Sequence, residues 1–572
     1  MEITRTDKRK KYLQRTIGVI LLLVALNIAA SYIHARWDLT AEKRYTLAPS
    51  TRQLLRGLDA PVNIEVYLKG NYPAGFRQLA DATRELLEEF QQYGGNNIRF
   101  RFTNPGTDLP DSLRMSFQDT LMSKGILPFN LQVQEDNSDA YAERLIFPGA
   151  VITYQGREIA VNLLKSQGGL DPMQALNSSE ALLEYRFTSA IYQLQQPERP
   201  LVGYMLGHGE PEGANIYDAL KTLHEHYQVD TINLKHDAFI PEEFDAVLFV
   251  RPLETFSDQD KLKIDQYVMN GGKVIWFIEP LNASVDSLRG RNFVAINRDL
   301  QLQDLLFKYG ARINPDLVMD LQSDMIPLVV GHIGDKPQIQ PIPFPYFPLL
   351  TPGNSHPIVR NMDLVMSRFA HSIDTIKDDN IRKTVLLATS DHSRTLSAPV
   401  EISLESVQQQ PNPRDYRQRH VPAAVLLEGK FTSLYNHRIS TEERAALKSA
   451  TGKDFKASAD TVNRMIVVSD ADIITNAISQ KSGPLQMGVN EFNPQYVFAN
   501  KEFFLNCMEY LTSKAPIMDT RNRELTLRLL DAEKVKRDRT KWQLIAFAVP
   551  IGAILLFAMV FQFIRQRRYA AA

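Results

Sequence analysis

Gly207-His208-Gly209-Glu210 is the one arrangement in this 572-residue chain whose residue types and spacing suggest chemistry at short range. An imidazole and a carboxylate two positions apart could share a proton or a cation. They follow the strand-like LVGYML of 201–206, and α/β folds hold ligands at the carboxyl ends of their strands. No third ligand or nucleophile stands beside them. The simpler reading is a tight turn allowed by the glycines, with His208 and Glu210 hydrogen-bonding the loop. Asp470-Ala471-Asp472, after the apolar RMIVVS, could ligate a cation or cap the next helix, and capping is the commoner use. Cys507, in the helical KEFFLNCMEYL, reads as a small core residue. As the only cysteine it excludes an internal disulfide, CxxC redox chemistry and cysteine-rich zinc sites. His208, Glu210, Asp470 and Asp472 are therefore binding candidates, with no catalytic residue, metal or cofactor expected.

Other chemistries lack their motifs. Gly452-Lys453 is followed by Asp454 and Gly271-Gly272-Lys273 by Val274, so no phosphate-cradling loop for ATP exists. HExxH, GxSxG and EF-hand patterns are missing as well. A net charge of −1 gives no field for nucleic acid. With 44% apolar residues the chain can build well-packed cores, and its length predicts two or three domains.

The elements that position these residues alternate between the periods of strand and helix. Val62, Ile64, Val66 and Leu68 alternate as a half-buried strand does, and Phe76 to Phe90 recur at helical spacing until Gly94-Gly95. Ile98, Phe100 and Phe102 alternate again, completing a βαβ unit. Strands at 127–134 and 149–164, the latter turning at Gln155-Gly156, fill out a small α/β domain over 45–165, thioredoxin-like in topology without redox cysteines. A connecting helix, capped by Ser178 or Ser179, lies within 166–197. From 198 to 515, apolar strands at 201–206, 229–234, 245–250 and 273–279 alternate with amphipathic helices. That pattern predicts a larger, doubly wound, mostly parallel sheet, which the strands at 384–389, 423–429 and 464–470 could extend. One of its helices starts at Ser257 and stops at Asn270-Gly271-Gly272. Residues 338–357 are too proline-rich for regular structure and should run extended.

Both ends look membrane-bound. Residues 17–33 are nearly all apolar behind a basic tail, 1–16, which the positive-inside rule places in the cytoplasm. Residues 544–564 carry no charge and suffice to cross a bilayer, with a charged stalk helix at 520–541 leading in. Lys534, Lys536, Arg537, Arg539 and Lys541 in that stalk oppose the orientation, but the first helix usually sets it. Two spans in a bacterial inner membrane, cytoplasmic termini and a periplasmic bulk follow.

WDLTAEKRYTLAPSTRQLLRGLDAPVNIEVYL (37–68), GHGE (207–210), PYFPLLTPGNSHPI (345–358), SDADIITN (469–476) and NKEFFLNCMEYL (500–511) together resemble the auxiliary component of gliding-motility-type ABC transporters, the GldG-type family. The juxtamembrane signature, with Asp38, Leu39, Thr40, Lys43 and Tyr45, is its most specific part. The resemblance covers nearly the whole chain. It implies an extracytoplasmic, non-ATPase subunit working with a separate ABC permease and, through it, a separate ATPase. It also implies a central domain similar to class I glutamine-amidotransferase folds, whose catalytic cysteine has no counterpart here. Bilayer lipid and the permease are the partners this implies. A membrane-tethered ligand-binding module or hydrolase centred on His208 and Glu210 is the alternative.

Overall fold

The computed structural model describes residues 16–25, 27, 46–70, 72–105, 110–126, 128–134, 141–164, 172–290, 292–334, 336–353, 356–404, 411–494, 496–522 and 532–569. Asp38, Leu39, Thr40, Lys43 and Tyr45 lie outside these residues, as do 1–15, 28–33 and 523–531. The chain divides into two compact units, Met1–Arg523 and Glu524–Ala572.

The N-terminal part of the first unit is a four-stranded sheet in the order Ile98–Phe102, Val62–Val66, Gly149–Tyr154, Arg157–Asn162. The first two strands run parallel across the helix Ala74–Gly94, as a βαβ unit must, and the other two are antiparallel. Gln155 and Gly156 both have positive φ (49° and 82°), the primed turn that matches strand twist. Helix Leu183–Gln195 adds Phe187, Ile191 and Leu194 to the apolar cluster of Val62, Ile64 and Phe90. It is thus part of this core. Neither Ser178 nor Ser179 caps it: both lie inside the preceding helix Pro172–Ala181, where the Ser179 hydroxyl donates to the Ala175 carbonyl.

The second sheet has ten strands. Five are parallel, in the order Asn463–Val468, Lys273–Phe277, Ala246–Val250, Leu201–Leu206, Gln228–Asn233. Successive residues of a strand face opposite sides, so Leu248 and Ile275 enter one apolar layer while Phe249 and Trp276 enter the other. Helices Tyr217–His226 and Asn500–Thr512 cover the first face, and Asp258–Met269 and Gln303–Tyr309 the second. A capping box between Ser257 and Asp260 starts helix Asp258–Met269. Strands Pro422–Gly429, Ile381–Ala388 and Lys336–Pro352 extend the sheet in antiparallel fashion, and Ser323–Ile333 closes that edge.

The proline-rich stretch is therefore a regular strand, in a long hairpin with Ser323–Ile333, where the sequence argues against regular structure. Parity explains the difference. Pro337, Pro341, Pro343 and Pro345 are all odd-numbered, so their missing N–H groups share one side of the strand. Pro341 stands opposite Pro327, a pairing possible only at a non-hydrogen-bonded position. Over 336–346 no even residue is a proline, so these keep their N–H groups for the ladder, while Pro348 and Pro352 fall beyond the register shift between Ser323 and Met325.

In the second unit, helix Ala532–Tyr569 contains Arg537–Arg567, whose most apolar 18-residue window has a mean hydropathy of 2.7 and is not buried. Among the described residues it is the one helix long and apolar enough to cross a membrane. Thr16–Ala25 is a shorter apolar helix, and much of the rest of the expected first span, 28–33, lies outside the described residues.

Candidate functional site

The parallel strands run in chain order 2-1-3-4, with the later strand Asn463–Val468 next, so the order reverses between Leu201–Leu206 and Ala246–Val250. Loops at the carboxyl ends beside such a reversal form the usual crevice. Gly207-His208-Gly209-Glu210 leaves the first of these strands, Arg251 the next, Glu279 comes two residues after Phe277, and Asp470 and Asp472 follow Asn463–Val468. The sequence-derived candidates therefore gather at one end of one sheet, in two clusters on either side of segment 251–254.

The first cluster is packed shut. Gly207 and Gly209 take φ of +116° and +79°, open to glycine at no steric cost. The turn lets a Glu210 carboxylate oxygen accept the His208 backbone N–H at 2.7 Å, while the His208 carbonyl accepts from Leu253 (2.6 Å) and Glu254 (2.9 Å). The His208 ring is fully buried and stacks on Phe256 at 3.7 Å between centroids. Its Nε2 lies 3.4 Å from an Asp260 oxygen, and neither ring nitrogen makes a hydrogen bond. Burial lowers the His208 pKa, against the pull of Asp260, and raises that of Glu210, against its backbone donors. The imidazole, stacked on Phe256 and with no exposed surface, packs the loop in place.

The second cluster carries the charge. Glu279, Asp470 and Asp472 each place an oxygen within 4.8 Å of the others. Two of them hold Arg251, whose Nε and Nη2 donate to one Glu279 oxygen at 2.9 and 2.7 Å, Nη2 also reaching Asp472. Arg251 sits at φ +42°, a left-handed conformation costing a non-glycine residue about 1–3 kcal/mol. Asp470 accepts the backbone N–H groups of Asp472 and Arg368 (both 2.7 Å), capping the short turn Ala471–Ile473. Burial, with Asp472 and Glu279 adding to it, raises the Asp470 pKa well above that of a normal carboxyl. Burial also opposes ionisation of Asp472, but Arg251 and Arg368 outweigh it and leave its pKa lowered.

The structure adds residues that no motif marks: Arg251, Glu279, Arg368 and Glu491. Arg368 donates to Glu491 at 2.7 Å, and its guanidinium lies 5.4 Å from the Phe347 ring centroid. A cavity of about 300 Å³ opens beside Arg251, Arg368, Asp472 and Glu491. Arg251 and Glu279 were signalled only by position, as charges just beyond the apolar runs AVLFV and KVIWFI. Cys507 is fully buried with its thiol pKa pushed up by burial, a core residue as the sequence suggests.

No curated protein matches the chain. Among solved structures it is similar to the N-terminal domain of mmIFT52, at 12% identity and TM-score 0.30 over 55% of this chain and 97% of that one. It is also similar to a ThuA-like protein from Parabacteroides merdae, at 10% identity and TM-score 0.25 over 56% and 92%. An exo-beta-1,4-mannosidase from Opitutaceae bacterium strain TAV5 shares 11% identity at TM-score 0.18 over 84% and 56%. None of these scores supports an argument about fold or function. A family described as a domain of unknown function, DUF7088, matches residues 41–153. The family described as "ABC-type uncharacterized transport system", an auxiliary component by its short name, matches residues 199–507, more than half of the chain and all of the crevice just described, and the chain belongs to it.

Proposed function

We propose that the chain is a non-enzymatic, membrane-anchored auxiliary subunit of an ABC-type transporter of the GldG type, with its folded bulk on the periplasmic side. One observation carries the anchoring: side chains of Ala532–Tyr569 such as Phe547 and Phe557 are 73% and 70% exposed. A stripe of that size has no solvent but lipid. The basic residues before the apolar run at 17–33 support a second span and cytoplasmic termini. Membership of an ABC transport family supports a permease and a separate ATPase as partners. The absence of a GK[ST] loop fits a subunit that leaves ATP to another chain. The parallel pair flanked by two antiparallel strands supports a thioredoxin-like N-terminal domain, and the 2-1-3-4 order an amidotransferase-like central one.

A cysteine at Glu442, exposed on helix Thr441–Thr451, tests the topology. The buried Cys507 should stay silent in the native protein. Impermeant maleimide should label Glu442→Cys in cells with a permeabilised outer membrane, and the solubilised protein should co-purify with its permease. Labelling only after inner-membrane lysis would reverse the topology, and purification without the permease would remove the transporter role. Replacing Ala548 and Gly552 by leucine, bulk on a face where close helix packing needs small residues, should weaken that co-purification and leave insertion intact.

A further inference from the structure

The apolar run of helix Ala532–Tyr569 begins at Leu544, directly behind a basic segment. Lys534, Lys536, Arg537, Arg539 and Lys541 stand there against Glu533 and Asp538 alone. The side chains of Arg537, Arg539 and Lys541 are exposed. Arg537 has Asp538 as a loose neighbour at 3.3 Å, while Arg539 and Lys541 have no acidic partner among the described residues. Helix geometry sets their heights. At 1.5 Å per residue, Lys541 stands about 4.5 Å and Arg539 about 7.5 Å beyond Leu544. A headgroup layer is roughly 5–8 Å deep on each side of the hydrocarbon core. Both cations therefore lie at the depth of the lipid phosphates when the apolar run fills that core. Trp542, exposed between them and the run, is the residue type that settles at this boundary.

Their arrangement around the axis narrows the partner. At about 100° per residue, Lys541 lies about 40° from Arg537, and Arg539 lies about 160° from both. A protein docking on one side of the helix would meet one or two of these charges and leave the rest in water. Lipid surrounds the helix and meets all three. A zwitterionic headgroup carries its own cation and offers no net charge, whereas an anionic surface favours each nearby lysine or arginine about fivefold. We propose that Arg537, Arg539 and Lys541 form a collar that gathers anionic phospholipid headgroups around this helix. The proposal rests on the reading of Ala532–Tyr569 as a membrane anchor, and it holds for either leaflet.

Trp542 is a reporter already in place. The full-length chain carrying Trp37→Phe keeps Trp542 and the buried Trp276, and the same chain with Trp542→Phe supplies the Trp276 background. Each is reconstituted in phosphatidylcholine vesicles containing, at equal mole fraction, either phosphatidylglycerol or phosphatidylcholine with acyl chains brominated near the headgroup. Brominated phosphatidylglycerol should quench Trp542 as if enriched beside it at least about threefold over the brominated phosphatidylcholine. Salt at about 1 M, where the screening length is about 3 Å, should reduce that enrichment. Replacing Arg537, Arg539 and Lys541 together by glutamine should abolish it, with quenching by brominated phosphatidylcholine unchanged because the helix still inserts. Equal quenching by the two lipids in the parent chain overturns the proposal and leaves the anchor standing. So does an enrichment that survives the triple substitution. If neither lipid quenches Trp542, the helix is not in the bilayer, and the anchor reading falls together with the collar.

Discussion

Replacing Arg251 by methionine keeps most of the side-chain volume and removes the charge. Glu279 would lose two donors, at 2.9 and 2.7 Å, and Asp472 would lose one. Their side chains are 6% and 15% exposed, so water takes over only part of what Arg251 supplied. Removing one partner of a buried ion pair costs about 3–5 kcal/mol. Because the Arg251 side chain is itself 24% exposed, some screening applies, and the low end, about 3 kcal/mol, is expected. Urea denaturation of the detergent-solubilised chain can be followed through Trp276, buried in the strand beside Ala246–Val250. Glu279→Gln and the double variant complete a cycle, and the double variant should lose less than the sum of the singles by at least about 1 kcal/mol. The penalty must also shrink as pH falls. Burial already raises the Glu279 pKa, and without Arg251 it rises further, so the variant's deficit is relieved as pH falls and that carboxyl takes up its proton. A deficit under about 1 kcal/mol, strict additivity, or a deficit unchanged between neutral and mildly acidic pH would refute the charge-pairing account.

Three further outcomes follow. Glu210→Ala should cost about 1.5–3 kcal/mol, the usual value for a hydrogen bond to a charged group, and Glu210→Gln less; a variant with unchanged melting that abolishes function in cells would restore a chemical role to this loop. Burial depresses His371 and His356 to about 4, so the stability each contributes is present above the ordinary histidine pKa and lost as pH falls through about 4. Urea midpoints of wild type and His371→Asn across that window should show a shallower acid slope in the variant, and equal slopes would count against it. Purified chain should not hydrolyse ATP above a mock preparation, and turnover retained through further purification would contradict this.

Elements set by local chemistry were legible in the sequence. The βαβ unit at 62–102, the Gln155-Gly156 turn and the helix start at Ser257 each rest on periodicity or turn and cap residues within a few positions. So did the placing of His208 and Asp470 at strand ends. The Ser178/Ser179 cap failed because serine tolerates a helix interior when its hydroxyl bonds the carbonyl four residues back, as Ser179 does. The long hairpin failed because proline count hides proline parity. The arginine clamp was not legible at all. Arg251, Glu279, Arg368 and Asp472 come from four separate segments, and only the strand order brings them together.

The parity of the prolines also bears on self-association. Residues 325–334, MIPLVVGHIG, carry no charge, and Val329, Val330 and Ile339 of the hairpin are exposed. An uncharged apolar edge of this kind ordinarily invites a passing chain to add a strand, the first step towards fibrils. Along Lys336–Pro352, Pro337, Pro341, Pro343 and Pro345 strip donors from the side facing away from Ser323–Ile333, and Pro327 does the same on the outer side of its own strand. A newcomer would find a run of carbonyls with few N–H groups among them, Ile339 supplying one between Pro337 and Pro341. The hairpin can therefore stay greasy and extended while being a poor template for its own kind.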